Sequence, residues 1–126
     1  MQILIDTHIL IWFLEGNNLL STQRQKLLSI TQNEVFVSIA SLWELSIKIS
    51  IGKITLSKSL NQIIQQIEAE NIEILPIQPL LVLEVEKMPY FHRDPFDRII
   101  IAQSKVENFD LMSDDAEFVK YGIKLI

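Results

Sequence analysis

The opening stretch Gln2–Ile3–Leu4–Ile5–Asp6–Thr7–His8 constrains the fold more than any other. Three large aliphatic residues in succession, closed at once by a carboxylate, read as a strand buried on both faces, as strands of parallel sheets are. A helical pattern follows in Ile9, Leu10, Trp12 and Phe13, with Thr7 placed to cap it. Asp6 is therefore expected where a central strand gives way to a helix. In open α/β sheets the crevice at the carboxyl ends of the strands is where ligands bind. A plain helix-capping role would account for Asp6 equally well, so what matters is whether other acids reach the same crevice.

The rest of the chain alternates strand and helix signals. Thr22 is expected to cap a helix reaching about Ile30, with Gln25 in capping-box position. Val35–Phe36–Val37 reads as a second strand, and Ser38 caps a helix over 39–49. In that helix Ile39, Leu42, Trp43 and Ile47 form an apolar stripe, while Ser41, Glu44 and Lys48 share another face. Ser57 or Ser59 opens a helix from Leu60 to Ala69, and Ile72–Leu75 makes a third strand closed by Pro76. Pro79 begins a helix to about Glu86. Asp94 and Pro95 then deliver the chain into a long helix, Phe96 to about Glu107, whose Ile99–Ala102 run makes it central. Asp110–Ser113 is a fourth strand, Asp114–Asp115 a turn into a short helix, and Ile123–Ile126 a last strand. Such alternation predicts one α/β domain over 1–126: a three-layer α/β/α arrangement with a central parallel sheet of four or five strands.

Composition narrows the function classes. The chain has no cysteine, which excludes disulfides and thiolate metal sites and makes the cytoplasm the expected compartment. No apolar run approaches the ~20 residues a membrane-spanning helix needs, so no membrane partner is expected. A net charge of −5 argues against gripping nucleic acid by bulk electrostatics. It is compatible with a nuclease, because metal-binding carboxylates add to the formal negative count and a bound divalent ion inverts the local sign.

Four acids occupy comparable places: Asp6 after the first strand, Glu44 on the helix after the second, Asp97 in the first turn of the long helix, and Asp115 just past the fourth strand. Carboxylates crowded together repel unless a cation intervenes, and oxygen ligands without His or Cys suit Mg²⁺ or Mn²⁺. Taken singly, each acid has an ordinary alternative. Glu44 pairs with Lys48 on a solvated face, Asp97 favours a helix N-terminus, and Asp115 is a turn residue or cap.

Four segments carry a resemblance beyond spacing: Ile5–Trp12, Val37–Lys48, His92–Gln103 and Leu111–Asp115. With them the sequence resembles PIN-domain proteins, and among those the VapC-type toxins of bacterial toxin–antitoxin pairs. The resemblance implies a metal-dependent endoribonuclease that uses Mg²⁺, with Mn²⁺ as the alternative. Its metal-binding acids correspond to Asp6, Glu44, Asp97 and Asp115, and its small hydroxyl residue to Ser113, where Thr is more usual. It also implies an RNA substrate, a homodimer and a cognate antitoxin. Asp94 and Asp114 stand close enough to join the metal through water, although capping the long helix suits Asp94 better. His92, Arg93 and Arg98 are expected at RNA phosphates, or alternatively in salt bridges to Asp94 or Asp97. His8 is read as packing or polar lining in preference to a general base.

Other classes fit less well. A dinucleotide-binding domain needs a glycine-rich first turn, and Gly16, Gly52 and Gly122 are isolated. An aspartyl phosphatase would place a second acid where His8 stands, and a receiver domain an Asp where Pro76 stands. A catalytically silent PIN-like module that binds RNA or protein is the remaining alternative.

Overall fold

The computed structural model describes all residues 1–126. In chain order the elements are β1 (Gln2–Ile5), α1 (Thr7–Glu15), α2 (Thr22–Ser29), β2 (Glu34–Ser38), α3 (Ile39–Ser50), α4 (Leu60–Ala69), β3 (Glu73–Leu75), α5 (Pro79–Lys87), α6 (Pro95–Glu107) and β4 (Asp110–Met112), then a 3-10 helix at Ala116–Tyr121. The strands form one all-parallel sheet in the order β3-β2-β1-β4. β1 is interior, with Leu4 level with Phe36 on one side and Leu111 on the other.

The pleat explains why β1 is apolar throughout. Ile3 and Ile5 join Val35 and Val37 on one face, packed on Ile9, Leu10, Leu42, Leu45, Ile63 and Ile67 from α1, α3 and α4. Leu4, Phe36 and Leu111 point the other way, onto Ile100, Ile101 and Ala102 of α6 and onto Met88 and Phe118. Side chains that alternate between two covered faces must all be hydrophobic. Each of the three aliphatics of β1 is fully buried, which contributes roughly 1.5–3 kcal/mol per side chain. The result is the expected three-layer α/β/α domain.

Several local expectations need correction. Asp6, not Thr7, caps α1: its Oδ1 accepts the Ile9 N–H at 2.9 Å. Ser21, not Thr22, caps α2, which puts Gln25 one position out of phase for a capping box. Ser59 forms that motif instead, reciprocally with Gln62. The expected last strand over Ile123–Ile126 is a single bridge between Leu125 and Leu111, so the sheet has four strands. Ile123 turns into the core beside Phe118 and Tyr121, leaving only Leu125 in register with β4.

The largest correction concerns the faces of α3. Ser41 and Glu44 are buried with Leu42 and Leu45, while Ile39, Trp43 and Ile47 of the apolar stripe are exposed. Because α3 packs against α1, α4 and α6, the side carrying Ser41 and Glu44 is turned inward, towards the carboxyl end of β1. Trp43 lies outside, edge-on to Phe96 with ring centroids 5.0 Å apart. No helix is long and apolar enough to cross a membrane.

Candidate functional site

Parallel strands all end on one side of the sheet, and that side collects the acids. Asp6 terminates β1 and is buried, which raises its pKa; the Ser113 hydroxyl and the Ile9 N–H oppose the rise, as does nearby His8. Asp97 comes in on the first turn of α6, where Pro95 occupies the first helical position and Asp94 caps by accepting the Phe96 and Asp97 N–H groups. Asp115 follows β4 and caps the 3-10 helix, its Oδ1 accepting the Glu117 N–H at 3.0 Å. Ser113, fully buried, stands between two of these acids: its hydroxyl accepts the Asp115 N–H at 3.1 Å and holds the Asp6 pKa down. Asp6, Asp97 and Asp115 line one open cavity of about 370 Å³, together with His8, Trp12 and Phe118.

Glu44 does not line this cavity, but it is buried next to Thr7 and its charge acts on Asp97. Thr7 Oγ1 donates to its Oε1 at 2.7 Å and also lies 2.9 Å from Ser41 Oγ. Lys48, one turn along α3, donates from Nζ to Glu44 Oε2 at 2.8 Å. That bond raises the Lys48 pKa against the cost of burial, and the charges of Glu44, Asp94 and Asp97 add to the rise.

Asp97 is the exposed nerve of the cluster. Its backbone N–H is used by Asp94, but no hydrogen bond or ion pair reaches its carboxylate. Burial first, and then the charges of Asp94 and Glu44, push its pKa up to about 7; His92 opposes this and Asp6 reinforces it. A cation beside it would bring that pKa down again.

His92, Asp97 and Asp115 present potential ligand atoms that all lie within 4.8 Å of one another. Asp97 and Asp115, with Asp6 lining the same open cavity, are oxygen donors suited to a divalent ion such as Mg²⁺ or Mn²⁺. The residues present therefore fit a metal.

The phosphate-contact candidates separate. Arg93 stays exposed on the loop before α6. His92 is turned inward, with Nε2 2.8 Å from Asp115 Oδ2 and Nδ1 3.1 Å from the Tyr121 hydroxyl. Arg98 does not reach the crevice at all. Its guanidinium is buried against the carbonyls of Val85, Met88, Pro89 and His92, beneath the Tyr90 ring. It closes the C-terminal end of α5 and shapes the loop that carries His92, because orphan helix carbonyls need donors. The phosphate role expected of Arg98 is corrected to a structural one. Asp94 is occupied as a helix cap. Asp114 lies at the cavity edge, ion-paired to Arg24, whose other nitrogen donates to the carbonyls of Ser113 and Ile126.

Thr7, Arg24 and Tyr121 were not foreseen as parts of this site. Thr7 adjoins Asp6 and could have been suspected from that. Nothing local in the sequence marks Arg24 or Tyr121, whose partners lie 90 and 29 positions away.

The family model for the PIN domain matches residues 3–124. Among solved structures, the chain is similar to one in VapBC2 from Rickettsia felis bound to a promoter DNA fragment, with 17% identity and a TM-score of 0.74, over 100% of this chain and 98% of that one. DNA-bound VapBC from Salmonella typhimurium gives 15% identity and a TM-score of 0.70, over 100% and 97%. A toxin–antitoxin complex from Klebsiella pneumoniae gives 17% and 0.66, over 98% and 94%. At such identities these structures speak to the fold. No curated protein is a significant match.

Proposed function

This chain belongs to the PIN-domain family, and on that premise we propose that it is a metal-dependent endoribonuclease, the toxin of a toxin–antitoxin pair acting in the cytoplasm. The carrying observation is Asp97: a carboxylate aimed into an acid-lined cavity, with a pKa of about 7 and no partner in the protein.

In this proposal Asp6, Glu44, Asp97 and Asp115 hold Mg²⁺ or Mn²⁺. A bound ion supplies Lewis acidity, lowering the pKa of a water near the scissile phosphate and offsetting charge that develops on the phosphoryl oxygens. The chain's own residues do the positioning. The Ser113 hydroxyl holds the Asp115 backbone N–H, and Thr7 fixes Glu44. Exposed Arg93 offers a forked donor for an RNA phosphate at the rim. Once the metal offsets the acids, an anionic backbone can approach a protein of net charge −5. The VapBC and toxin–antitoxin complexes among the structural neighbours support a cognate antitoxin for this chain. A homodimer accords with the same family.

One observation favours a second reading, a catalytically silent module that binds RNA or protein: Glu44 is already satisfied by Lys48 and Thr7 without any metal. Incubating the pure protein with a mixed RNA panel in Mg²⁺, Mn²⁺ or EDTA, beside Asp97→Asn, separates the two. Cleavage that needs metal and disappears in the variant supports the nuclease. RNA binding without cleavage under any metal supports the silent module.

A further inference from the structure

Resting on the metal-site proposal above, we propose that His92, held in one tautomer by Tyr121, is a positioning residue that orients Asp115 for the cation. Asp115 needs such help. Its side chain is 40% exposed, at the junction between β4 and the 3-10 helix. The Glu117 N–H engages Oδ1, and His92 Nε2 engages Oδ2. With both oxygens directed, their remaining lone pairs are presented in one orientation beside Asp97.

Hydrogen-bond directions decide the role of the imidazole. The Tyr121 oxygen accepts the backbone N–H of His92 at 2.7 Å. The same oxygen lies 3.1 Å from Nδ1 of that residue, and with its hydrogen turned to this nitrogen it holds Nδ1 as an acceptor. A carboxylate oxygen only accepts, so the 2.8 Å contact with Asp115 Oδ2 places a proton on Nε2, which donates to it. A protonated Nε2 has no lone pair for a metal, so His92 serves the site through Asp115 and is not itself a ligand. The carboxylate–histidine contact is the kind of outer contact that sets ligand orientation in metal sites.

The device is anchored in the core. Tyr121 is 6% exposed. The His92 ring meets Phe118 edge-on at 4.8 Å between centroids. Buried Arg98 donates to the His92 carbonyl at 3.4 Å, so the residue is held at both ends of its backbone as well as at its ring.

The test uses the full chain. Long-range ¹⁵N spectra of the metal-free parent should show His92 with Nε2 protonated and Nδ1 bare, a pattern lost in Tyr121→Phe, which keeps the ring and its packing. Calorimetric titration with Mn²⁺ should show affinity falling roughly 10-fold in Tyr121→Phe and up to ~100-fold in His92→Ala. His92→Gln, whose amide offers a donor near the former Nε2, should recover part of that loss. An Nδ1-protonated His92, parent-like Mn²⁺ affinity in Tyr121→Phe and His92→Ala, or no recovery in His92→Gln would overturn the proposal. A parent that binds Mn²⁺ yet cuts no RNA would sink the nuclease proposal while leaving this one to be decided by the variants. A parent that binds no Mn²⁺ sinks both.

Discussion

Glu44 on α3 and Asp97 on α6 are two acids whose charges act on one another, and they have solved the same problem in opposite ways. Glu44 is almost wholly buried, yet every part of it is answered: the Thr7 hydroxyl meets one oxygen and the Lys48 ammonium the other. Asp97 is less buried and has nothing. Burial alone therefore does not rank the acids by need for a cation; the local supply of donors does. The Glu44 carboxylate is answered from within the protein, and the Asp97 carboxylate is not.

Substituting Asp97 gives the largest expected effect. Asp97→Asn should lower metal-dependent RNA cleavage by roughly 100-fold or more. It should leave the metal-free protein at least as stable as the parent in urea at pH 8, because an uncompensated charge has been removed. A clear loss of stability would mean that Asp97 has a partner after all, and the contrast with Glu44 would collapse.

Lys48→Met is the complementary break. Removing the ammonium leaves Glu44 buried without its cation, which should cost about 1–3 kcal/mol in the metal-free protein, less than for a fully buried pair because Lys48 is partly exposed. Urea midpoints with and without Mn²⁺ check this, and the deficit should shrink when the metal is present. An equal deficit in both conditions would separate Glu44 from the metal site.

Stability of the metal-free protein should also depend on pH in a direction set by Asp97. Its folded pKa of about 7 lies above the ordinary 3.8. The folded state therefore holds the proton more tightly, and stability falls as pH rises from about 4 towards 7. After allowance for solvent screening of a partly exposed group, the change is on the order of 1–2 kcal/mol. Melting temperatures across that range should decline in the parent and lose part of the slope in Asp97→Asn, with buried Asp6, whose pKa is also raised, keeping the rest. A parent-like slope in the variant would transfer the titration to another group.

The smallest effect is expected at Thr7. Thr7→Val keeps the shape and deletes the hydroxyl that serves Glu44, at a cost of about 1 kcal/mol. Chemical denaturation detects it, and a double cycle with Lys48→Met should be non-additive, since both serve one carboxylate.

Much of this was legible along the chain. Alternating strand and helix signals announced the layers, and the Asp94–Pro95 step marked the start of α6 because cap and proline act within one turn. The positions of Asp6, Asp97 and Asp115 after strands or at a helix start placed them on one side of a parallel sheet. Glu44 was legible as an acid on α3, but not as a buried one. The apolar stripe of Ile39, Trp43 and Ile47 suggested the opposite orientation. Hydrophobic periodicity assumes that the buried side of a helix is the oily side, and a polar crevice reverses that rule.

What the sequence determined by itself was whatever depends on neighbours within a turn or a pleat: element order, most caps, the doubly buried β1 and the residue types available for a metal. Only the tertiary structure decided who answers whom. It brought Tyr121 and Asp115 to His92, Arg24 to Asp114, and Arg98 to the carbonyls beneath His92. Local propensity reflects short-range sterics and hydrogen bonding, whereas these pairings follow from the parallel sheet, which gathers distant strand ends at one edge.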